Sequence, residues 1–254
     1  MEKTVTERKY FSSTRIAVIA MFATLAAILY IFNFSMPFAF PSFLEFKLSD
    51  IPVLIGSFAL GPVSGVIIVV VEILIKLIVK GTSTVFVGEL SDLITSCAFA
   101  VTAALIYKKH RTFKGALVGM AIGTALEVAV AILFNWLVLV PFYVQFFFHG
   151  SWAPLLNMMK TLFPSITQET FYNYYLWVSV LPFNLLRCLV AVLVTLPVYK
   201  RISNLINKFN AKLEPKPEKE GESKGKLNLW LIIFSAVVAA LLVTFALLRV
   251  FLWS

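Results

Sequence analysis

The stretch EFKLSDIPVLIGSFALGP, from Glu45 to Pro62, decides how the rest of the chain is read. Three charged residues (Glu45, Lys47 and Asp50) stand at its head, about ten mostly apolar residues follow, and Gly61-Pro62 breaks it. A helix crossing a bilayer needs about 20 apolar residues, so this one is too short to span. Yet it lies between two longer apolar segments, with no room for a soluble domain. A short helix with a polar head inside a membrane bundle leaves space at one end, and space beside polar groups is what a binding pocket requires.

Composition agrees with a membrane setting. Of 254 residues, 60% are hydrophobic and 14% charged, and the mean hydropathy is +0.90; a soluble domain carries far more surface charge. The formal charge of +9 does not indicate nucleic acid, because the basic residues cluster just beyond apolar runs, where they orient a chain in the bilayer. Cys97 and Cys188 lie inside apolar segments and are expected to be unpaired. The first apolar run is long and lacks a small-residue cleavage site, so it is not read as a signal peptide.

Outward from the central stretch, the pattern predicts an all-α, multi-pass integral membrane protein of the cell membrane. Residues 1–13 form a cytoplasmic tail, 14–201 a six-helix substrate-binding domain, 202–228 a charged cytoplasmic linker, and 229–254 an additional C-terminal span. Basic residues before the first helix and in KKHRTFK (108–114) place the N-terminus inside, and seven spans place the C-terminus outside. On the first helix Ala20, Ala23, Thr24 and Ala27 form a small-residue stripe, suited either to packing within the bundle or to docking another membrane subunit. The Pro- and Phe-rich segment 35–46 is expected as an outside loop, at the interface or as a lid. Glu72 and Lys76, four residues apart, predict a structural ion pair. Glu89 and Asp92 head the fourth helix, where carboxylates act as caps. A loop of roughly 30 residues is expected before the sixth span, which begins near Leu176.

Motifs for energy conversion or catalysis are missing: there is no phosphate-binding G-x-x-x-x-G-K-[ST] loop and no H-E-x-x-H. His110 and His149 are predicted in loops on opposite sides, so neither a metal site nor an enzyme is expected. What remains is a polar set toward the outer half of the bundle: Glu45, Lys47, Asp50, Thr82, Ser83, Thr84, Glu89, Asn135, Asn184 and Arg187. An asparagine amide offers donors and an acceptor together. Two of them in an apolar cavity suit the edge of a flat heterocycle better than an ion.

These residues carry a resemblance. LSDIPVLIGSFALGPVSGV (48–66), GTSTVFVGE (81–89), FNWLVLVPFY (134–143) and LPFNLLRC (181–188) resemble the substrate-binding S components of energy-coupling factor (ECF) vitamin transporters, in their riboflavin-type branch. The resemblance covers about residues 14–201. It implies a six-helix flavin binder, here with one helix appended, that works with a membrane coupling (T) subunit and two cytoplasmic ATPases. Flavin (riboflavin, FMN or FAD) would be transported cargo and not a prosthetic group. Asn135 and Asn184 match asparagines that contact the ring edge, and A-T-L-A-A on the first helix matches the docking motif. Arg187 stands where that branch has lysine in F-N-L-x-K, and its planar fork suits a phosphate. Two alternatives stay open: an S component for another vitamin, or a stand-alone ion-coupled carrier titrating at Glu72, Lys76, Glu89 or Glu127.

Overall fold

The computed structural model describes residues 13–213. The N-terminal tail, the C-terminal part of the expected linker and the appended span 229–254 lie outside the described residues. The chain runs α1 (Ser13–Ile31), β1 (Phe34–Ser35), β2 (Glu45–Phe46), α2 (Asp50–Leu60), α3 (Pro62–Lys80), α4 (Val87–Lys109) and α5 (Phe113–Phe134). α5 continues through wide π-helical turns, π1 (Asn135–Leu139) and π2 (Tyr143–Phe147), separated by one α-turn, α6 (Val140–Phe142). Then follow α7 (Ala153–Lys160), π3 (Asn173–Val180) and α8 (Leu181–Leu213).

The short helix is central. α2 packs against α1, α3, α4 and α8, and every residue from Pro52 to Leu60 is buried. Asp50 sits in its first turn, where the helix dipole favours a carboxylate. Gly61 ends it at φ 89°, a conformation that side chains rarely adopt, and Pro62 opens α3, where its missing N–H has no partner to lose. Five segments are long and apolar enough to cross a membrane: α1, α3, α4, the run Phe113–Phe147 and the run Asn173–Val198. Their exposed residues include Met21, Leu25, Leu117, Ile122, Leu189 and Leu193, an outward apolar face that lipid covers.

α4 and α5 approach closely because of glycines. A Cβ on Gly119 would lie 2.7 Å from the Ala103 carbonyl oxygen, and one on Gly123 would lie 2.8 Å from that of Phe99. Glycines four apart let two backbones meet without side chains between them.

Several expectations need correction. The 35–46 segment is not wholly loop, since β1 and β2 pair antiparallel, Phe34 opposite Phe46. The long outer loop is mostly helical: π2 extends to Phe147, α7 lies within it, and the next segment begins at Asn173. α8 runs on to Leu213, past the expected end of the six-helix domain at 201. On α1 the small-residue stripe divides. Ala23 and Ala27 are 0% and 1% exposed, covered by this chain itself, whereas Ala20 and Thr24 are exposed. Both cysteines are free and buried.

Candidate functional site

A cavity of about 370 Å³ opens between β2 and the N-terminal half of α4, within the range of about 300–1,000 Å³ usual for small-molecule sites. Tyr30 of α1, Lys76 of α3 and Leu155 of α7 are among the residues that enclose it. Phe43 and Leu44 precede β2 and Glu45 opens it; Ser83 and Thr84 come from the turn between α3 and α4. Glu89, Asp92 and Thr95 line it from α4, and Asn135, Tyr143, Tyr175, Asn184 and Arg187 from α5, α8 and their π-turns.

The π-turns place the amides. Both amides stand at or just past a junction between α-helix and π-turn, where the backbone bond shifts from i−4 to i−5. Asn135, the first residue of π1, donates Nδ2–H to the Ala131 carbonyl at 2.8 Å. Asn184, four residues after the end of π3, donates Nδ2–H to the Val180 carbonyl at 2.8 Å. Each amide is thus tied to its own helix by one N–H and keeps its remaining capacity for the cavity. The Tyr175 hydroxyl donates to Asn135 Oδ1 at 2.5 Å. Asn184 Oδ1 has no partner among the described residues. Aromatic faces complete the apolar wall: Tyr175 stacks on Phe171 at 5.3 Å and meets Phe43 at 5.7 Å.

The ionisable groups at and behind this wall are paired with one another. Arg187, 4% exposed, faces three carboxylates. Its Nε lies 3.3 Å from Asp50 Oδ2, without hydrogen-bond alignment. Nη1 lies 3.5 Å from Asp92 Oδ1, and Nη2 bonds Glu127 Oε1. Lys47 Nζ lies 3.4 Å from Asp92 and donates to Ser96 Oγ at 3.1 Å. Tyr30 donates to Asp92 and carries Lys47 Nζ 4.6 Å above its ring, a cation–π contact. Groups this deep in a bundle must be paired or hydrogen-bonded to be tolerated.

The residues singled out in the sequence therefore divide. Glu45, Ser83, Thr84, Glu89, Asn135, Asn184 and Arg187 reach the cavity wall. Lys47 and Thr82 do not: Lys47 is 2% exposed inside the ion network, and Thr82 Oγ1 donates to Glu89 at 2.9 Å while accepting the Phe86 N–H at 3.0 Å. Glu89 lies in the first turn of α4, as expected, and its carboxylate also meets Lys76, Thr82 and Thr84. The predicted Glu72–Lys76 pair does not form. Lys76 pairs with Glu89, and Glu72 accepts from Ser49 at 3.4 Å. The Arg187 fork meets carboxylates, so the phosphate reading loses its main support. Tyr30, Phe43, Tyr143 and Tyr175 were missed; the signal for the last was the aromatic run FYNYY (171–175), read as loop. Among the described residues no group of three His, Cys, Asp or Glu could hold a metal.

Comparison with known proteins places the chain. The sequence model of the family described as ECF transporter, substrate-specific component, matches residues 14–199. Riboflavin transporter RibU of Staphylococcus aureus is 28% identical over 195 residues, which cover 77% of this chain and 93% of that protein. Riboflavin transporter FmnP of Bacillus subtilis is 27% identical over 133 residues, 52% of this chain and 70% of that protein. A solved structure described as "Structure and mechanism of the S component of a bacterial ECF transporter" matches with a TM-score of 0.58 at 26% identity, covering 76% of this chain and 97% of that one.

Proposed function

The chain belongs to the substrate-specific components of ECF transporters, and we propose that its cargo is a flavin, with riboflavin preferred to its phosphorylated forms. One observation carries the reading: an apolar, aromatic-walled cavity in which Asn135 and Asn184 keep hydrogen-bonding capacity free. A flat ring system with alternating C=O and N–H on one edge fits such a wall, its faces against Phe and Tyr and its edge toward the amides. The riboflavin transporters of S. aureus and B. subtilis point to the same ligand.

Arg187 favours the unphosphorylated vitamin. An incoming phosphate would have to approach a guanidinium already facing Asp50, Asp92 and Glu127, where like charges repel it. The protein binds substrate in the membrane and moves it with a T subunit and two ATPases; it is not an enzyme. Asn135 and Asn184 hold the ring edge, Ser83, Thr84 and Glu45 meet the ligand near the mouth, and the N-terminus is cytoplasmic. Ala20 and Thr24, the exposed half of the α1 stripe, remain for subunit docking. The ion-coupled carrier is the weaker reading, since Lys76 and Glu89 already neutralise each other.

Titration of the detergent-purified protein with riboflavin, FMN and FAD, followed by flavin fluorescence quenching, tests this. Riboflavin should bind most tightly, and Asn135→Ala and Asn184→Ala should each weaken it. Absence of quenching by all three flavins rejects the reading.

A further inference from the structure

We propose that Tyr175 is a positioning residue that sets ligand specificity through Asn135, an inference that rests on the flavin reading. Tyr175 is 0% exposed. Its ring meets Phe171 and Phe43, and its backbone lies in π3, which packs against π1. The hydroxyl reaches Asn135 Oδ1 at 2.5 Å, while Asn135 Nδ2 reaches the Ala131 carbonyl at 2.8 Å. These two bonds choose one of the two amide orientations. The reversed orientation would set Oδ1 against the Ala131 carbonyl, acceptor facing acceptor, and would take away the group the phenol donates to. With Oδ1 held by Tyr175 and one N–H held by Ala131, the second N–H of Asn135 is the group left for a ligand.

The consequence is a division of labour between the asparagines. Asn135 presents a donor and so selects a ligand acceptor. Asn184, whose Oδ1 has no partner among the described residues and which spends one N–H on Val180, adds the acceptor that Asn135 lacks, able to take a ligand N–H, beside its own second N–H. A donor and an acceptor on neighbouring walls read an edge in which C=O stands beside N–H. They reject an edge in which that order is reversed, because a mismatched edge leaves buried polar groups unpaired. Tyr175 touches the ligand edge only through Asn135, so its hydroxyl matters for selectivity more than for shape.

The test is a double-mutant cycle on the full-length protein in detergent, with Tyr175→Phe, Asn135→Ala and the pair. Tyr175→Phe keeps the ring and removes only the hydroxyl. Kd is read for riboflavin and for 4-thioriboflavin, whose sulfur accepts a hydrogen bond poorly. A neutral hydrogen bond corresponds to about a three- to ten-fold change in Kd. Tyr175→Phe should weaken riboflavin by about that factor and narrow the ratio between the two ligands, and it should have no further effect in the Asn135→Ala background. An equal loss for both ligands, or losses that multiply in the double variant, overturns the positioning role while leaving the flavin reading intact. Absence of riboflavin binding to the unsubstituted protein overturns both. Thermal unfolding of each variant separates a folding defect from a change in recognition.

Discussion

Lys76 on α3 and Glu89 in the first turn of α4 form an ion pair, 6% and 5% exposed, on the wall of the cavity. Thr82 and Thr84 donate to the second carboxylate oxygen at 2.9 and 2.8 Å, so the turn between the two helices is folded around Glu89. Removing one partner of such a pair strands the other charge, at about 3–5 kcal/mol. Lys76→Met should therefore lower the melting temperature of the ligand-free protein sharply, and Lys76→Met with Glu89→Gln should recover most of the loss. Equal melting temperatures for the single variant and the parent would show the pair to be energetically idle.

That pair also marks where sequence reading stops. Glu72 and Lys76 satisfy the local i, i+4 rule, but the rule describes an isolated helix surface. In the bundle Lys76 meets a carboxylate whose two hydroxyl donors also lie within seven residues of it, a constellation that spacing along α3 does not reveal. The short α2 was legible because its signal is local, with charges, an apolar run and Gly61-Pro62 in order. Asn135, Asn184 and Arg187 were legible as polar residues in apolar runs. Tyr175 was not. The apolar run that signals the sixth span begins near Leu176, so Tyr175, one residue ahead of it in a polar aromatic run, fell in the expected loop. The divided stripe on α1 has a different origin: periodicity placed Ala20, Ala23, Thr24 and Ala27 on one face but could not say how much of that face this chain covers itself.

The close α4–α5 contact gives a second prediction. Gly119 and Gly123 have backbone carbonyls of α4 within 2.8 Å of where a Cβ would stand, and neither a carbonyl nor a helix backbone can move aside cheaply. Overpacking costs about 1–3 kcal/mol even in soluble cores. Gly123→Leu should reduce folded yield and melting temperature, whereas Leu126→Ala, on the exposed side of the same helix, should change neither by much. Thermal unfolding in detergent distinguishes the two.

Arg187 separates two functional readings. Its guanidinium serves Asp50, Asp92 and Glu127 on three helices, and a lysine ammonium cannot present a planar fork to all three. Arg187→Lys should weaken riboflavin binding and lower stability together. If the fork holds no phosphate, the ratio of the FMN and riboflavin dissociation constants stays unchanged. A selective loss of FMN affinity would restore the phosphate role that the sequence suggested.

The segment over the cavity supplies the last prediction. Asn33, just past α1, accepts from Lys80 at the end of α3 and donates to Glu45 in β2. One side chain thereby ties two helix ends to the strand pair that carries Phe43 and Leu44 to the cavity wall. Lys80 and Glu45 are exposed and Asn33 is half-buried, so each bond adds little to stability, about 1 kcal/mol or less. Their effect would be on kinetics: if the 35–46 segment lifts to let ligand past Phe43, these bonds must part first. Asn33→Ala should then speed riboflavin release by about two- to five-fold, in line with one weak exposed contact, and leave the melting temperature nearly unchanged. Stopped-flow recovery of flavin fluorescence after dilution reads the release rate directly. A rate identical to that of the parent protein would mean that riboflavin leaves by another route, or that the strand pair alone holds the segment closed.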